Sequence, residues 1–404
     1  MARSPLSLPP TRPITRAGIP LLLLMLAACG GSSSPTGPGG GGTTTLSGTV
    51  RATGSASALE GATVTIGSHT ATTDANGHFE LTGLPTGATT ALAARPGYSE
   101  SQIALTLSSG SNSHDFSLAV KEVYESGAFA MYVPAGVGPL RGVIISLGGG
   151  VTTNGFVTGG PLEPGAGGTL EQSLQSMGVD LRALAKSAHV ALVGTSTHSL
   201  ANTGASDNAL FAALTTFAGL SGHAELGDAP VLMFGLGEGN SPESGGLASR
   251  NPQRTIGVLM RVPNSVVALT TPAALAVPTF VMLSELDDVP INTSVRAAFS
   301  DNRSRGGLWA LATEPGVAHA EATVRANAAN VDWMAMTLTL RLPPHAGDPL
   351  VSVGETTGWL GNQTTLAIAA WANYTGTRAT ASWLASNATA QLWKTLGGGG
   401  GPGT

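Results

Sequence analysis

Residues 46–50 (LSGTV) and 62–66 (ATVTI) alternate apolar and polar positions, the period of strands with one buried face. Residues 74–77 (DANG) carry turn chemistry, because Asn and Gly tolerate the positive φ of a tight hairpin. Phe79 and Leu81 then fall on one face of the next strand. A second turn at residues 83–87 (GLPTG) leads to a strand over residues 90–94. Short strands at regular spacing, separated by turn signals, predict a sandwich.

The pattern changes after residue 122. Residues 142–147 (GVIISL) form a continuous apolar run that ends in Gly148, Gly149 and Gly150. Residues 190–194, 230–235 and 278–283 are similar runs, the signature of parallel strands covered on both faces. Helical spacing falls between them, over residues 180–188, 209–220 and 246–250. Strands alternating with helices predict a doubly wound α/β sheet.

The N-terminus reads as an address. Arg3, Arg12 and Arg16 precede an apolar run over residues 19–28, too short to span a membrane as a mature helix and right for a secretory signal. The run ends Leu26-Ala27-Ala28-Cys29, and Cys29 is the chain's one cysteine. Residues 30–45 are Gly, Ser, Thr and Pro only, a composition that reads as a flexible tether. Residues 397–404 are glycine-rich in the same way and are expected to be disordered. With 11% charged residues, a net charge of −5 and no basic run past the start, the chain has no electrostatic footprint for nucleic acid.

The residues 26–29 motif resembles the lipobox of bacterial lipoproteins, which implies cleavage before Cys29, a lipid on its thiol and a membrane as partner. Gly30 and Gly31, in place of Asp, lean toward the outer membrane or cell surface. The order SGTV, GATVTI, TTDANGHFELTGLPTG, GY resembles the carboxypeptidase regulatory-like domain, a seven-stranded transthyretin-like sandwich classed near carbohydrate-binding-like folds. Its aromatic residues Phe79, Tyr98 and Phe116 fit a core at least as well as a sugar platform, so a structural spacer is the reading favoured there.

Residues 122–396 resemble an α/β-hydrolase of the esterase type. In that family a nucleophile on a strained strand-to-helix turn is followed along the chain by an acid and a histidine. The glycines of Phe234-Gly235-Leu236-Gly237-Glu238-Gly239 match the flanks of G-x-S-x-G. Residues 247–257 (LASRNPQRTIG) resemble the helix behind that elbow, residues 284–288 (SELDD) the acid region, and residues 314–319 (EPGVAH) the histidine loop. Residues 358–362 and 381–384 resemble the tails of esterase-like members. The resemblance implies His319 as base and Asp287 or Asp288 as its orienter, with Asp287 slightly favoured because it lies nearer the strand end. It also implies an oxyanion hole from amides of Gly148, Gly149, Gly150 and Glu238, although Gly148 to Gly150 read equally as a tight turn.

The departure is Gly237, which stands where the family has serine and supplies no nucleophile. Glu238, Ser241 and Ser244 fit the spacing of a substitute nucleophile poorly. His69, His78, His114, His189, His198, His223 and His345 show no ligand spacing, so no metal site is expected, and no cofactor. Residues 235–240 also fail the G-x-G-x-x-G pattern of dinucleotide sites.

The expected organisation is therefore a signal peptide (1–28), a lipidated cysteine and linker (29–45), a transthyretin-like all-β sandwich (46–119), an α/β-hydrolase-like doubly wound domain (122–396) and a tail (397–404). Two functions remain open: a carboxylic-ester hydrolase working without its serine on a small-molecule ester, or a non-catalytic surface protein that binds carbohydrate or peptide. Residues 151–179 and 195–209 are long enough to contribute a cap to the pocket.

Overall fold

The computed structural model describes residues 44–148, 181–195, 203–236, 241–318 and 324–397. Its first part is a sandwich of two sheets. One sheet contains β1 (Thr44–Ala52), β4 (His78–Leu84), β7 (Ser111–Ser113) and β8 (Phe116–Leu118); the other contains β2 (Thr63–Ile66), β3 (His69–Thr72), β5 (Gly87–Ala94) and β6 (Ser101–Leu107). The short β7 and β8 both pair in parallel with β1, one after the other, at Thr45–Ser47 and Val50–Ala52. Counted as one interrupted strand they make the sandwich seven-stranded, as expected. The interruption is chemical: the Asp115 carboxylate leaves the ladder to accept the Thr49 N–H at 2.7 Å and the Thr49 hydroxyl at 2.9 Å. Phe79 and Phe116 are buried 5.9 Å apart in the core with Leu46, Val50 and Val64. Tyr98 is only half-buried.

The second part is built on an eight-stranded sheet in the order β16-β15-β14-β13-β11-β12-β10-β9. Here β9 is Val123–Ser126, β10 Phe129–Tyr132, β11 Gly142–Gly148, β12 Val190–Thr195, β13 Val231–Leu236, β14 Thr255–Arg261, β15 Thr279–Ser284 and β16 Trp309–Glu314. From β11 to β16 all pairings are parallel, while β9 and β10 are antiparallel at one edge. Side-chain alternation divides the strands between two cores. Val143, Ile145 and Met233 join one face with Leu210 and Phe217 of α2 (Gly204–Ser221), Leu247 of α3 (Ser241–Arg250), Ala274 of α4 (Pro272–Leu275) and Val295 and Phe299 of α5 (Val289–Ser304). Ile144, Leu232 and Phe234 join the other with Leu181 of α1 (Leu181–Ala188), Trp333 and Leu338 of α6 (Val324–Arg341) and Trp393 of α7 (Asn387–Gly397). This is the doubly wound arrangement read from the apolar runs, and it agrees with the α/β-hydrolase-like fold that the resemblance implied.

Two expectations need correction. Residues 255–257 open β14 instead of extending the helix behind the elbow, because the α3 helix ends at Arg250 and Pro252 starts a short 3-10 turn. Residues 204–209 belong to α2, capped by Thr203, whose hydroxyl accepts the Ser206 N–H at 3.3 Å, so they form no cap over a pocket. The edge strands β9 and β10, four residues each, went unforeseen.

The tail motifs fold into a three-stranded sheet, β17 (Trp359–Gly361), β18 (Ile368–Ala370) and β19 (Ser382–Leu384). It sits behind β16: Trp393 Nε1 and Gln363 Nε2 donate to the Leu311 carbonyl at 2.6 and 3.0 Å. Gly361 is required there, since a Cβ would lie 2.5 Å from the Trp393 ring. At the join between the two parts, the Gly97 N–H donates to the Leu220 carbonyl at 3.2 Å, and the Gly97 carbonyl accepts the Lys121 N–H at 2.9 Å. Gly97 has φ +84°, and a Cβ on it would lie 2.9 Å from the Ser221 carbonyl oxygen, so the contact needs glycine on both counts.

Candidate hydrolytic site

In a parallel sheet the loops that follow the strands gather at its carboxyl edge, where ligands bind in open α/β folds. The register lines up the strand ends that the sequence reading had singled out. Gly148, at the end of β11, pairs with Leu236, which ends β13 and immediately precedes Gly237. Leu236 pairs in turn with Arg261 at the end of β14. Ser284, before the acid region, pairs with Glu314, before the histidine loop. The loops after β11, β13, β15 and β16 thus leave one edge of one sheet.

Of the residues expected in the site, Gly148, Asp287 and Asp288 are described. Gly149, Gly150, Gly237, Glu238 and His319 lie outside the described residues, as does the lipidation candidate Cys29.

The two aspartates differ in role. Asp288 is exposed and caps α5: its carboxylate accepts the Ile291 N–H at 3.2 Å, with proline inside the first turn. A capping carboxylate also answers the positive end of the helix. Asp287 is half-buried, and its carboxylate accepts the Asp288 N–H at 2.7 Å. The segment around it is stitched to the loop leading toward residue 319. Glu285 N–H donates to the Glu314 carbonyl at 3.0 Å, Leu286 N–H to the Val317 carbonyl at 2.9 Å, and Gly316 N–H to the Glu285 carboxylate at 2.8 Å. These bonds hold residues 285–286 and 314–317 side by side, and the capping role sets Asp288 apart from Asp287. Asp288→Ala should lower stability by about 1 kcal/mol, the typical value of an N-cap, in a chemical denaturation series.

Ser244 lies on α3 with 0% exposure, so its hydroxyl is closed to a substrate from solvent. Two charged residues escaped the sequence reading. Arg261 and Glu314 end their strands at the same edge and are buried at 3% and 1% exposure. Burial pulls the Arg261 guanidinium below its usual range, and the charge of Glu314 offsets part of that. Arg325, near the start of α6, places Nε 3.5 Å from the Glu314 carboxylate. A charge closing an otherwise apolar strand, as in TIGVLMR and WALATE, was the available signal. Arg261 and Glu314 thus put opposite charges at the ends of β14 and β16, at the edge where those strands finish.

Residues 45–119 match the carboxypeptidase regulatory-like domain family. No curated protein matches the chain. Among solved structures, a type II cohesin–X-dockerin complex from Acetivibrio cellulolyticus is 23% identical, with 20% of this chain and 59% of that one covered, at a TM-score of 0.18. This chain therefore spans under two thirds of that relative's length. An esterase from the fungus Rhizomucor miehei is 15% identical over 54% of this chain and 81% of its own, with a TM-score of 0.37. A hyperthermophilic esterase from the archaeon Pyrobaculum calidifontis is 16% identical over 52% and 80%, with a TM-score of 0.33. At such scores these likenesses carry no weight for mechanism; the hydrolase-like architecture rests on strand order and register.

Proposed function

We propose that the chain is an exported protein, lipid-anchored through Cys29 at the outer membrane or cell surface, whose α/β domain is a carboxylic-ester hydrolase frame with Gly237 at the elbow. The observation that carries this reading is the shared edge of the loops after β11, β13, β15 and β16, with the acid segment bonded to the histidine-bearing loop. Without a serine, the reaction available is direct attack by water. His319 takes a proton from the water as its oxygen bonds to the ester carbonyl carbon. Asp287 orients the imidazole and favours its charged form, and amides near Gly148 and Glu238 hold the developing oxyanion. Collapse of the tetrahedral intermediate breaks the bond to the alkoxy oxygen, which leaves with the proton from His319. Frames without the serine keep about 10³–10⁴-fold over water in the serine proteases where this was dissected, so turnover is expected to be weak.

A second reading, a pseudoenzyme that binds carbohydrate or peptide in the same pocket, is favoured by one fact: Gly237 carries no nucleophile and the nearby Ser244 is closed off. Hydrolysis of short-chain p-nitrophenyl esters by the purified protein separates the two. Activity in the native chain that disappears in His319→Ala supports the hydrolase. Activity absent from the native chain, or indifferent to His319→Ala, rejects it. The anchor is tested on its own: Cys29→Ala is expected to abolish incorporation of labelled fatty acid and move the protein from membrane to soluble fractions, and unchanged labelling would refute it.

A further inference from the structure

A cleft of about 610 Å³ lies between the sandwich and the α/β domain. Arg95 and Tyr98 of the sandwich, Lys121 of the connecting segment, Tyr124 of β9 and His223, just past α2, all line it. This cleft is at the opposite end of the sheet from the candidate hydrolytic loops. The C-terminus of α2 and the segment after β10 both lie at the amino edge of the parallel strands, since β10 runs antiparallel to β12.

Its cations are arranged for a ligand. The Arg95 guanidinium lies over the Tyr98 ring at 5.2 Å, and the Lys121 ammonium over the Tyr124 ring at 5.3 Å. A guanidinium resting on a ring keeps its N–H donors free at its edges, a geometry suited to a planar carboxylate. Neither side chain hydrogen-bonds or ion-pairs with any described residue. His223 is already engaged, 2.8 Å from Glu225. Burial, with Glu122 and Tyr98 nearby, pushes the Tyr124 phenol up to about 12, so it adds no negative charge. The acids in reach are Glu60, which lines the cleft, Glu122, whose carboxylate accepts the Ala135 N–H at 2.8 Å, Glu225, which is held by His223 and by the Leu140 N–H, and Glu100 in an adjoining hollow of about 300 Å³, which shares Arg95, Tyr98 and Lys121. The ridge of these three residues therefore has a hollow on either side, room for a ligand longer than one ring. Gly61, Gly97, Gly136 and Gly222 line the cleft without side chains, which brings backbone to its wall, and Val120, Val133, Pro134 and Val137 also line it.

We propose that this cleft binds an acidic oligosaccharide, with its carboxylates held by Arg95 and Lys121 and a sugar ring in contact with Tyr98. The site is independent of the hydrolytic reading, because β13 and β16, the strands that lead toward residues 237 and 319, end at the other edge of the sheet.

Calorimetric titration of the purified protein with tetragalacturonic acid, its methyl ester and tetraglutamate provides the test. Binding of the acid is expected to weaken with salt and to be about tenfold or more weaker for the methyl ester, the value of losing one or two charge-assisted bonds. Lys121→Gln, an exposed substitution that leaves the fold alone, should weaken binding of the acid, and Arg95→Gln should weaken it further, with Arg95→Lys restoring part. Unchanged thermal melting verifies that each variant is folded. The proposal is overturned if the acid does not bind, if the methyl ester binds as well, or if Lys121→Gln binds like the native chain. Tetraglutamate binding as tightly as the saccharide would assign the cleft to acidic peptides and overturn it too.

Discussion

Gly237→Ser is expected to raise kcat/KM for short-chain p-nitrophenyl esters by roughly 10²-fold or more over the native chain, a conservative fraction of what a triad serine supplies elsewhere. The frame around the position supports so large a gain. Strand β13 ends at Leu236, paired with Gly148 at the carboxyl edge, and α3 begins at Ser241. The sequence has glycine at 235 and 239, as the flanks of the G-x-S-x-G pattern require. A serine introduced there gives His319 a hydroxyl to deprotonate, replacing a loosely held water with an oriented nucleophile. The variant should also be labelled covalently by a fluorophosphonate, which the native chain should not be at position 237. In the Gly237→Ser background, His319→Ala should remove the gain. Asp287→Asn should remove most of it and Asp288→Ala little, because Asp288 is engaged as a helix cap. Equal losses from the two aspartates would reject the assignment of Asp287. A folded Gly237→Ser variant with neither labelling nor turnover would reject the elbow itself.

The large elements were legible because burial on both faces leaves a mark in the sequence. The apolar runs at residues 142–147, 190–194, 230–235 and 278–283 became β11, β12, β13 and β15 nearly residue for residue. The order of the loops followed from chain order alone, and the register supplied what chain order cannot: which strand ends are neighbours. Short or charged-ended strands were harder. The four-residue β9 and β10 carry too few positions to establish a period, and β14 was masked by the helix and proline before it. Asp288 was ambiguous as a sequence symbol and became clear as a cap only once α5 was seen to start at Val289; the D-V-P spelling was the missed signal. Tyr98 shows the reverse case. It reads with Phe79 and Phe116 as a core aromatic, yet it comes to rest half-buried at a domain join that no local pattern encodes.

Arg303→Met is expected to destabilise the α/β domain by roughly 3–5 kcal/mol, the range for removing one member of a buried charge pair. Arg303 has 1% exposure near the end of α5. Its guanidinium donates to the carbonyls of Ala381 at 2.6 Å, Arg378 at 3.0 Å and Gly307, and to the Glu355 carboxylate at 2.9 Å. Burial pulls its pKa down, and the bond and charge of Glu355 push back, so the group remains charged. Methionine fills much of the stem volume but satisfies none of the four acceptors. Three carbonyls and a carboxylate would then have to be left unpaired or reached by water. The Glu355 side chain is 31% exposed, so solvent can rescue the carboxylate in part, and Glu355→Gln should cost much less, about 1 kcal/mol. The location sharpens the test. Ala381 precedes β19 and Arg378 lies just before it, so the guanidinium fastens the small C-terminal sheet to α5, whose other end carries Asp288 and the acid segment. Amide exchange in Arg303→Met should therefore rise first over residues 355–384 and leave β11 and β13 protected. A loss below about 1 kcal/mol, or exchange that rises uniformly, would show that the guanidinium is not what holds that sheet in place.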